Sequence, residues 1–226
     1  MNQLEHLAQN LRVAPLIAQA TQAVNAVHRS RINLRRSDVT SSEAIVRGAR
    51  LNCFLSPHMS EHVAMSAYSV LAPGVVAESV QTFVRAPLQV LARIDALAGG
   101  DAKPVREGQR LILLARMITM HSDHVLVPAL VHGEIASREF FGERSGTVAR
   151  VAMRLSAMAG GFDPRGLCVP EVYYHRNSKE YVRLVNQLGA SDMTEQALVP
   201  FLEHHFKAYI AGAAEGEGIA QTMSTI

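Results

Sequence analysis

The stretch on which the fold prediction is centred is 131–150, VHGEIASREFFGERSGTVAR. Apolar residues at helical spacing lead into a short loop that is rich in charge, and a second helical pattern follows it. Whether the protein is an enzyme depends on the residues of this loop.

The same helical spacing recurs along most of the chain. Helices are predicted over 4–27 with a break near Pro15, from Thr40 to a stop before Pro57, and over 61–71, 75–97 with a break at Pro87, 106–120, 125–137, 147–159, 178–188 and 191–213. No segment alternates for long enough to build a sheet. The prediction is therefore an all-α fold of about eight to ten helices with little or no sheet. An N-terminal helical extension is expected over 1–36 and the main helical domain over 37–226, as one compact unit.

Composition narrows the class of protein. The chain is 48% hydrophobic and 19% charged, which is typical of a soluble globular protein. No apolar run is long enough to cross a bilayer, and Asn2, Gln3 and Glu5 differ from the basic start of a signal peptide, so a cytoplasmic protein with no membrane partner is expected. A formal charge of +2 gives no argument for nucleic acid. Cys53 and Cys168 lack metal-type spacing and are expected to be free.

The loop carries a resemblance to a known family. Residues 139–150 align without a gap with the signature His-Pro-Phe-x-Asp/Glu-Gly-Asn-Gly-Arg-x-x-Arg of the Fic/Doc AMP transferases. Phe141, Glu143, Gly146 and Arg150 match that signature. The segments VRGAR near 46, APLQVLARIDALAG near 86 and DPRGLCVPEV near 163 resemble a divergent actinobacterial branch of Fic-like proteins, so the likeness extends over about 40–210.

The resemblance implies a Fic-like helical bundle and a nucleotide site. In that family Glu143 would be the magnesium ligand, Gly146 would let backbone amides approach a phosphate, and Arg150 would bind phosphate oxygens. ATP and magnesium are the cofactors that this likeness implies, and Phe141 would anchor the loop to the core.

Departures from the signature weigh against catalysis. Glu139 stands where the family has the histidine that accepts the proton of the target hydroxyl, and Thr147 replaces the first arginine. Arg144 and Ser145 replace Gly-Asn. A positioned base contributes a factor of about 10² to 10⁴, and loss of phosphate donors costs a similar factor. The segment 46–56 also lacks the glutamate of the family's inhibitory helix.

Three hypotheses stay open. The first is a catalytically degenerate Fic-like binding or scaffolding module with a protein partner. Its residual phosphate or nucleotide site would consist of Glu143, Arg144, Ser145, Gly146, Thr147 and Arg150. The second is a noncanonical transferase that moves AMP to protein hydroxyls, with Glu139 as the base, Glu143 as the magnesium ligand and Arg150 as the phosphate clamp. The third is a structural protein whose old cleft is filled, in which Arg150 pairs with Glu134 or Glu143.

Other charged groups favour ordinary surface roles over sites. His121, Asp123, His124 and His132 have spacing that a metal could use, as do His58 and His62, but surface histidines are commoner. The arginines at 29, 31, 35 and 36 fit a solvated linker without interleaved aromatic residues. The apolar N-terminal helix predicts a homo-oligomer contact.

Overall fold

The structure is a computed structural model that describes residues 3–224, and the side chains of 3–222. These residues form twelve α-helices and two 3₁₀ turns, with no strand among them, which confirms the all-α prediction. The helices are α1 (Gln3–Ala8), α2 (Ala14–Arg29), α3 (Asn33–Leu55), α4 (Glu61–Tyr68), α5 (Val76–Arg85), α6 (Pro87–Leu97), α7 (Gly108–His121), α8 (Val127–Arg138), α9 (Ser145–Ala159), α10 (Glu171–Arg176), α11 (Ser178–Ala190) and α12 (Glu195–Ser224). The 3₁₀ turns are Ser69–Leu71 and Gly142–Arg144.

Helix α9 lies at the centre of the molecule. Every one of its residues except Gly146 and Ala159 is buried, and of all the helices it packs most extensively against α8. A helix that is apolar on nearly all sides must be surrounded by others. The loop between α8 and α9 is consequently held on both sides by core helices.

Two hydrophobic clusters meet at α9. One joins α1, α2, α11 and α12 to the inner face of α8 and contains Tyr174, Phe201 and Phe206. The other is built from α3 to α9 and contains Phe140 and Phe141. The site loop therefore begins in the second cluster, while α9 contributes side chains to both.

Several helix starts follow from local chemistry. Pro87 and Pro128 occupy first-turn positions of α6 and α8, where the missing amide hydrogen is no loss. Ser60 caps α4 by accepting a hydrogen bond from the Val63 amide at 3.4 Å.

The predicted helix start at Thr40 is wrong. Helix α3 begins at Asn33, and its irregularity is a kink at Arg36 (φ −137°, ψ 37°) rather than a cap. Thr40 is buried inside the helix, and Ser42 donates its hydroxyl hydrogen to the Asp38 carbonyl at 2.8 Å. Such hydroxyls bond to their own helix as readily as they cap a new one.

The C-terminal helices also differ from the prediction. Residues 171–176, for which no helix was predicted, form the short helix α10 directly after Pro170. Helix α12 starts at Glu195 and continues past Ala213 to Ser224. Its glycines do not end it, because they allow close packing on a neighbouring segment.

The N-terminal helices are packed within the molecule. Helix α2 lies along α12, with Ala20, Val24 and Val27 buried in the first cluster. Arg12 also donates hydrogen bonds to Glu203. The apolar face of this helix, on which the homo-oligomer prediction was based, is therefore covered by the chain itself.

No single helix within residues 3–224 combines the length and the apolar character needed to span a membrane. The bent pair formed by Glu61–Leu71 and Val76–Arg85, which turn through 76°, meets those two criteria only when taken together.

Candidate anion-binding site

The loop between α8 and α9 is anchored at both ends. Phe140 and Phe141 are buried in the core, and Ser145 Oγ accepts a hydrogen bond from the Phe141 amide at 2.9 Å. Gly142 has a φ of +60°, a backbone conformation that glycine adopts without strain. The loop therefore presents the first turn of α9 in one defined position.

Arg150 lies beneath that first turn and is 1% exposed. Its Nε donates to Asn52 Oδ1 at 2.9 Å, and its two terminal nitrogens donate to Ser56 Oγ at 2.7 Å and to Tyr181 OH at 3.1 Å. All three acceptors are uncharged. Within the described chain no carboxylate pairs with Arg150, so a full positive charge is buried with only three of its five N–H donors engaged.

Gly146 brings the backbone close to this guanidinium. A Cβ at position 146 would lie 3.3 Å from both terminal nitrogens of Arg150 and 3.4 Å from Ser56 Oγ. The Ser145 amide bonds to the Gly142 carbonyl of the preceding 3₁₀ turn, and the helix macrodipole adds partial positive charge at this end of α9. The N-terminus of α9 and the arginine therefore favour an anion at the same place.

A cavity of about 300 Å³ opens beside these groups, between the α3–α4 connection, the end of α6 and the loop before α9. Its polar lining consists of Ser56, His58, Ser60, Glu143 and Arg144. Ser56 connects the cavity to Arg150, because its Oγ accepts the hydrogen bond from the buried guanidinium. The volume is at the small end of the range for ligand pockets.

Arg144 is held in this cavity by a buried carboxylate. Its Nε donates to Asp95 Oδ1 at 2.7 Å, and the other oxygen of Asp95 accepts from the Ala102 amide at 3.1 Å. Gly100 leaves room for the pair, since a Cβ there would collide with both side chains. Asp95 thus neutralises Arg144, and the exposed carboxylate of Glu143 is left as the free negative charge of the lining.

Thr147 has a structural position. It is fully buried, and its Oγ1 accepts a hydrogen bond from Asn52 Nδ2 at 3.1 Å. Asn52 therefore links Thr147 to Arg150 through the two ends of one amide. Where the family signature has an arginine, this chain has a small hydroxyl that orients the amide holding Arg150.

Glu139 lies apart from the cavity. Its side chain is 58% exposed and pairs with Arg106 at 3.1 Å, and it is not part of the cavity lining. Its backbone has a φ of +49° at the C-terminal end of α8, a position more often taken by glycine or asparagine. The structure thus assembles Glu143 and Arg144 on the cavity, with Ser145, Gly146, Thr147 and Arg150 behind them, and leaves Glu139 outside.

No protein-family model, curated protein or solved structure matched this chain. The Fic-like interpretation therefore stays a prediction from the signature residues alone.

The acceptors of Arg150 were missed by sequence reasoning. Asn52 and Ser56 lie within 46–56, the segment that resembles the family's inhibitory helix, and their spacing of four residues places them on one helix face. That spacing was the available signal. Tyr181 lies on α11, and nothing in the sequence signals that it contacts Arg150. The alternative pairing of Arg150 with Glu134 is wrong, because Glu134 accepts two hydrogen bonds from Arg110.

Tyr181 also connects the site to a buried aromatic–histidine cluster, formed by His132, Tyr174, Tyr181, His204 and His205. The His132 Nε2 and Tyr181 OH are 2.8 Å apart, and neighbouring ring centroids lie 4.9 to 6.5 Å from each other. Burial lowers the pKa of His132 well below 6.5, with His205 and Arg150 adding to the effect. His132 is therefore a neutral support for the hydroxyl that holds Arg150.

In the part of the chain that the structure describes, no three His, Cys, Asp or Glu side chains are placed to hold a metal ion together. Glu143 is the one carboxylate on the cavity lining. Magnesium bound there would take its other oxygen ligands from water and from a phosphate-bearing ligand, as that ion commonly does.

Proposed function

We propose that this protein is a non-catalytic, Fic-like binding module whose cavity at 139–150 takes a phosphate group, either as the free ion or as part of a small nucleotide. The phosphate would enter beside Ser56 and meet the first turn of α9 and the unused N–H donors of Arg150. Arg144 would form one wall of the site. The module would present this loop to a protein partner according to whether the ligand is bound.

The observation that carries the proposal is the buried charge of Arg150. Removing a guanidinium from water without a carboxylate to pair it is costly, and groups of this kind are usually paired or serve a ligand. Three uncharged acceptors hold it in place but leave its charge uncompensated. An anion in the adjoining cavity would supply the missing negative charge.

The placement of Glu139 favours this proposal over the transferase. A general base must come within hydrogen-bond reach of the proton that it removes. Glu139 instead pairs with Arg106 outside the cavity. The lining carries no carboxylate other than Glu143, whose charge opposes a bare anion unless a metal ion lies between them.

The test is ligand-dependent thermal stability, with inorganic phosphate, ATP, and ATP with magnesium as probes. A site-binding ligand stabilises the folded state by about 2.7 kcal/mol at 100 times its dissociation constant, so a rise in Tm is expected. Glu143→Gln removes the opposing carboxylate from the cavity, and should increase the shift with phosphate. Glu139→Gln, the matched control on the same loop, should leave the shift unchanged.

Two other results would reject the proposal, and a third would specify its ligand. If no probe raises Tm, the structural protein with a filled cleft is the better hypothesis. A shift with magnesium and ATP that Glu143→Gln abolishes would identify a metal-dependent nucleotide site. Self-modification by labelled ATP that is lost in Glu139→Gln would establish the transferase.

A further inference from the structure

Helix α7 exposes an apolar face. Its inner side buries Leu111, Leu114 and Ile118, yet on its outer side Leu113 is 61% exposed and Met120 is 73% exposed. Leu113 and Met120 are seven positions apart and so lie on the same side of the helix, where the exposed Arg116 lies between them. The outer face of α7 thus has the composition of an interface, and the described chain does not cover it.

Beside that face runs a concave surface, the α6–α7 groove, which is lined by Leu88, Ala92, Ile112, Ala115 and Met120. It consists of two cavities of about 500 and 540 Å³. They are continuous, because Leu88 and Ile112 line both. The groove follows the axis of α7, which at 14 residues is about 21 Å long.

The charges at the groove have one sign. Arg85 and Arg116 line the end near Met120, and neither pairs with a carboxylate among the described residues. No aspartate or glutamate lines either cavity. A partner that fills the groove would therefore meet two free guanidinium groups at one end and only apolar or uncharged groups along the rest.

We propose that the α6–α7 groove binds an amphipathic helix of a partner protein, with an apolar ridge in the groove and carboxylates facing Arg85 and Arg116. An apolar ridge set into a groove is a common mode of helix recognition, and complementary charge fixes its orientation. The surface is concave, which suits a ridge of side chains better than a flat lipid surface. Phe141 of the 139–150 loop lines one part of the groove, but no residue that lines the cavity beside Arg150 also lines the groove, so the two proposals can fail independently.

The experiment measures the binding of two synthetic peptides to the full chain by fluorescence anisotropy. Both have leucine along one helical face and about 18 residues, enough to match the length of α7. One has glutamate beside the leucine face and its twin has lysine in the same places. The acidic peptide should bind at least about tenfold more tightly than its twin. A tenfold difference is about 1.4 kcal/mol, which is the contribution of one strong charge pair or of two weaker ones.

Charge reversal provides the decisive comparison. Arg85→Glu combined with Arg116→Glu should reverse the preference and favour the lysine peptide. Arg93→Glu is the matched control, because Arg93 is exposed on α6 but does not line the groove. All the changed residues are exposed, and circular dichroism would verify that each variant is folded.

Three results would overturn the proposal. The first is binding that is absent or equal for the two peptides, or a preference that survives the double reversal. The second is a dimer of the chain that dissociates in the double variant, seen by analytical ultracentrifugation, which would assign the face to a second copy. The third is binding to vesicles with anionic lipids but to neither peptide, which would assign it to a membrane surface.

Discussion

At the scale of single residues, Arg150 is the side chain on which the site depends. Its three acceptors come from α3, from Ser56 directly after it and from α11, which are far from it in sequence, and Asn52 is held in turn by Thr147. A fork with fixed N–H directions can reach all three acceptors at once, which a single ammonium group cannot do. The identity of the residue therefore matters as much as its charge.

Arg150→Lys is expected to lower the free energy of unfolding by about 2 kcal/mol, because at least one buried polar partner would lose its hydrogen bond. It should also remove the stabilisation by phosphate. Urea unfolding followed by circular dichroism measures the first effect. Arg183→Lys, on an exposed arginine paired with Glu180, should have no measurable effect. Equal losses in the two variants would mean that the buried network contributes nothing to stability.

At the scale of secondary-structure elements, α12 depends on close approach between backbones. A Cβ at Gly212 would lie 2.7 Å from the Pro170 nitrogen and from the Val169 carbonyl carbon, and one at Gly216 would collide with the Leu167 carbonyl. The Val169 amide donates to the Gly212 carbonyl at 3.1 Å. These glycines dock α12 on the extended segment before α10.

Gly212→Ala and Gly216→Ala should each destabilise the protein by about 1–3 kcal/mol, because backbone atoms cannot give way as flexible side chains do. Gly218 is exposed on the same helix with nothing near its missing Cβ, so Gly218→Ala should raise stability by up to about 1 kcal/mol through helix propensity. Thermal unfolding of the three variants tests this contrast. A gain in stability at all three positions would show that helix propensity alone governs this helix.

These same glycines explain where sequence reasoning stopped short. Apolar spacing located most helices because burial on one face leaves a periodic signal, and proline marked the break at 87. The end of α12 was missed because glycine usually signals a helix end, whereas here it permits packing on a distant segment. Helix α10 was missed because six residues are too few to show a period. The loop between α8 and α9 was located by the break between two helical patterns, but the acceptors of Arg150 depend on tertiary packing.

At the scale of the whole molecule, the aromatic–histidine cluster joins α8, α10, α11 and α12. Burial lowers the pKa of His205 to about 3 and that of His204 to about 4, while Glu180 raises the latter slightly and Lys207 lowers it. The Nε2 atoms of both histidines and Nδ1 of His132 have no hydrogen-bond partner in the described structure. The cluster is therefore stable only while its imidazoles are neutral.

The free energy of unfolding is expected to fall as the pH drops below about 6.5, since the unfolded chain binds protons that the folded cluster excludes. The slope is up to about 1.4 kcal/mol per pH unit for each histidine, and the loss continues down to the folded pKa values. Burial raises the pKa of Asp163, but its hydrogen bond and charge interaction with His28 lower it to a net value below 3.8, so Asp163 adds to the loss only near and below 3.8.

Urea unfolding between pH 7 and pH 4.5 measures this slope. His205→Phe keeps an aromatic ring and should reduce the pH slope of the unfolding free energy by the share of one histidine. His62→Gln, on the exposed face of α4, should not change the slope. If the slope stays the same in His205→Phe, the acid sensitivity has another origin.

The packing of α2 against α12 has a consequence for synthesis on the ribosome. Arg12 and Glu203, which form an ion pair, are 191 positions apart, and the first hydrophobic cluster is built from residues of both α2 and α12. At a translation rate of about 5–20 residues per second, α12 is synthesised roughly 10–40 s after α2. During that interval the apolar stripe of α2 is exposed on a nascent chain, and a chaperone that shields such stripes would increase the yield of native protein.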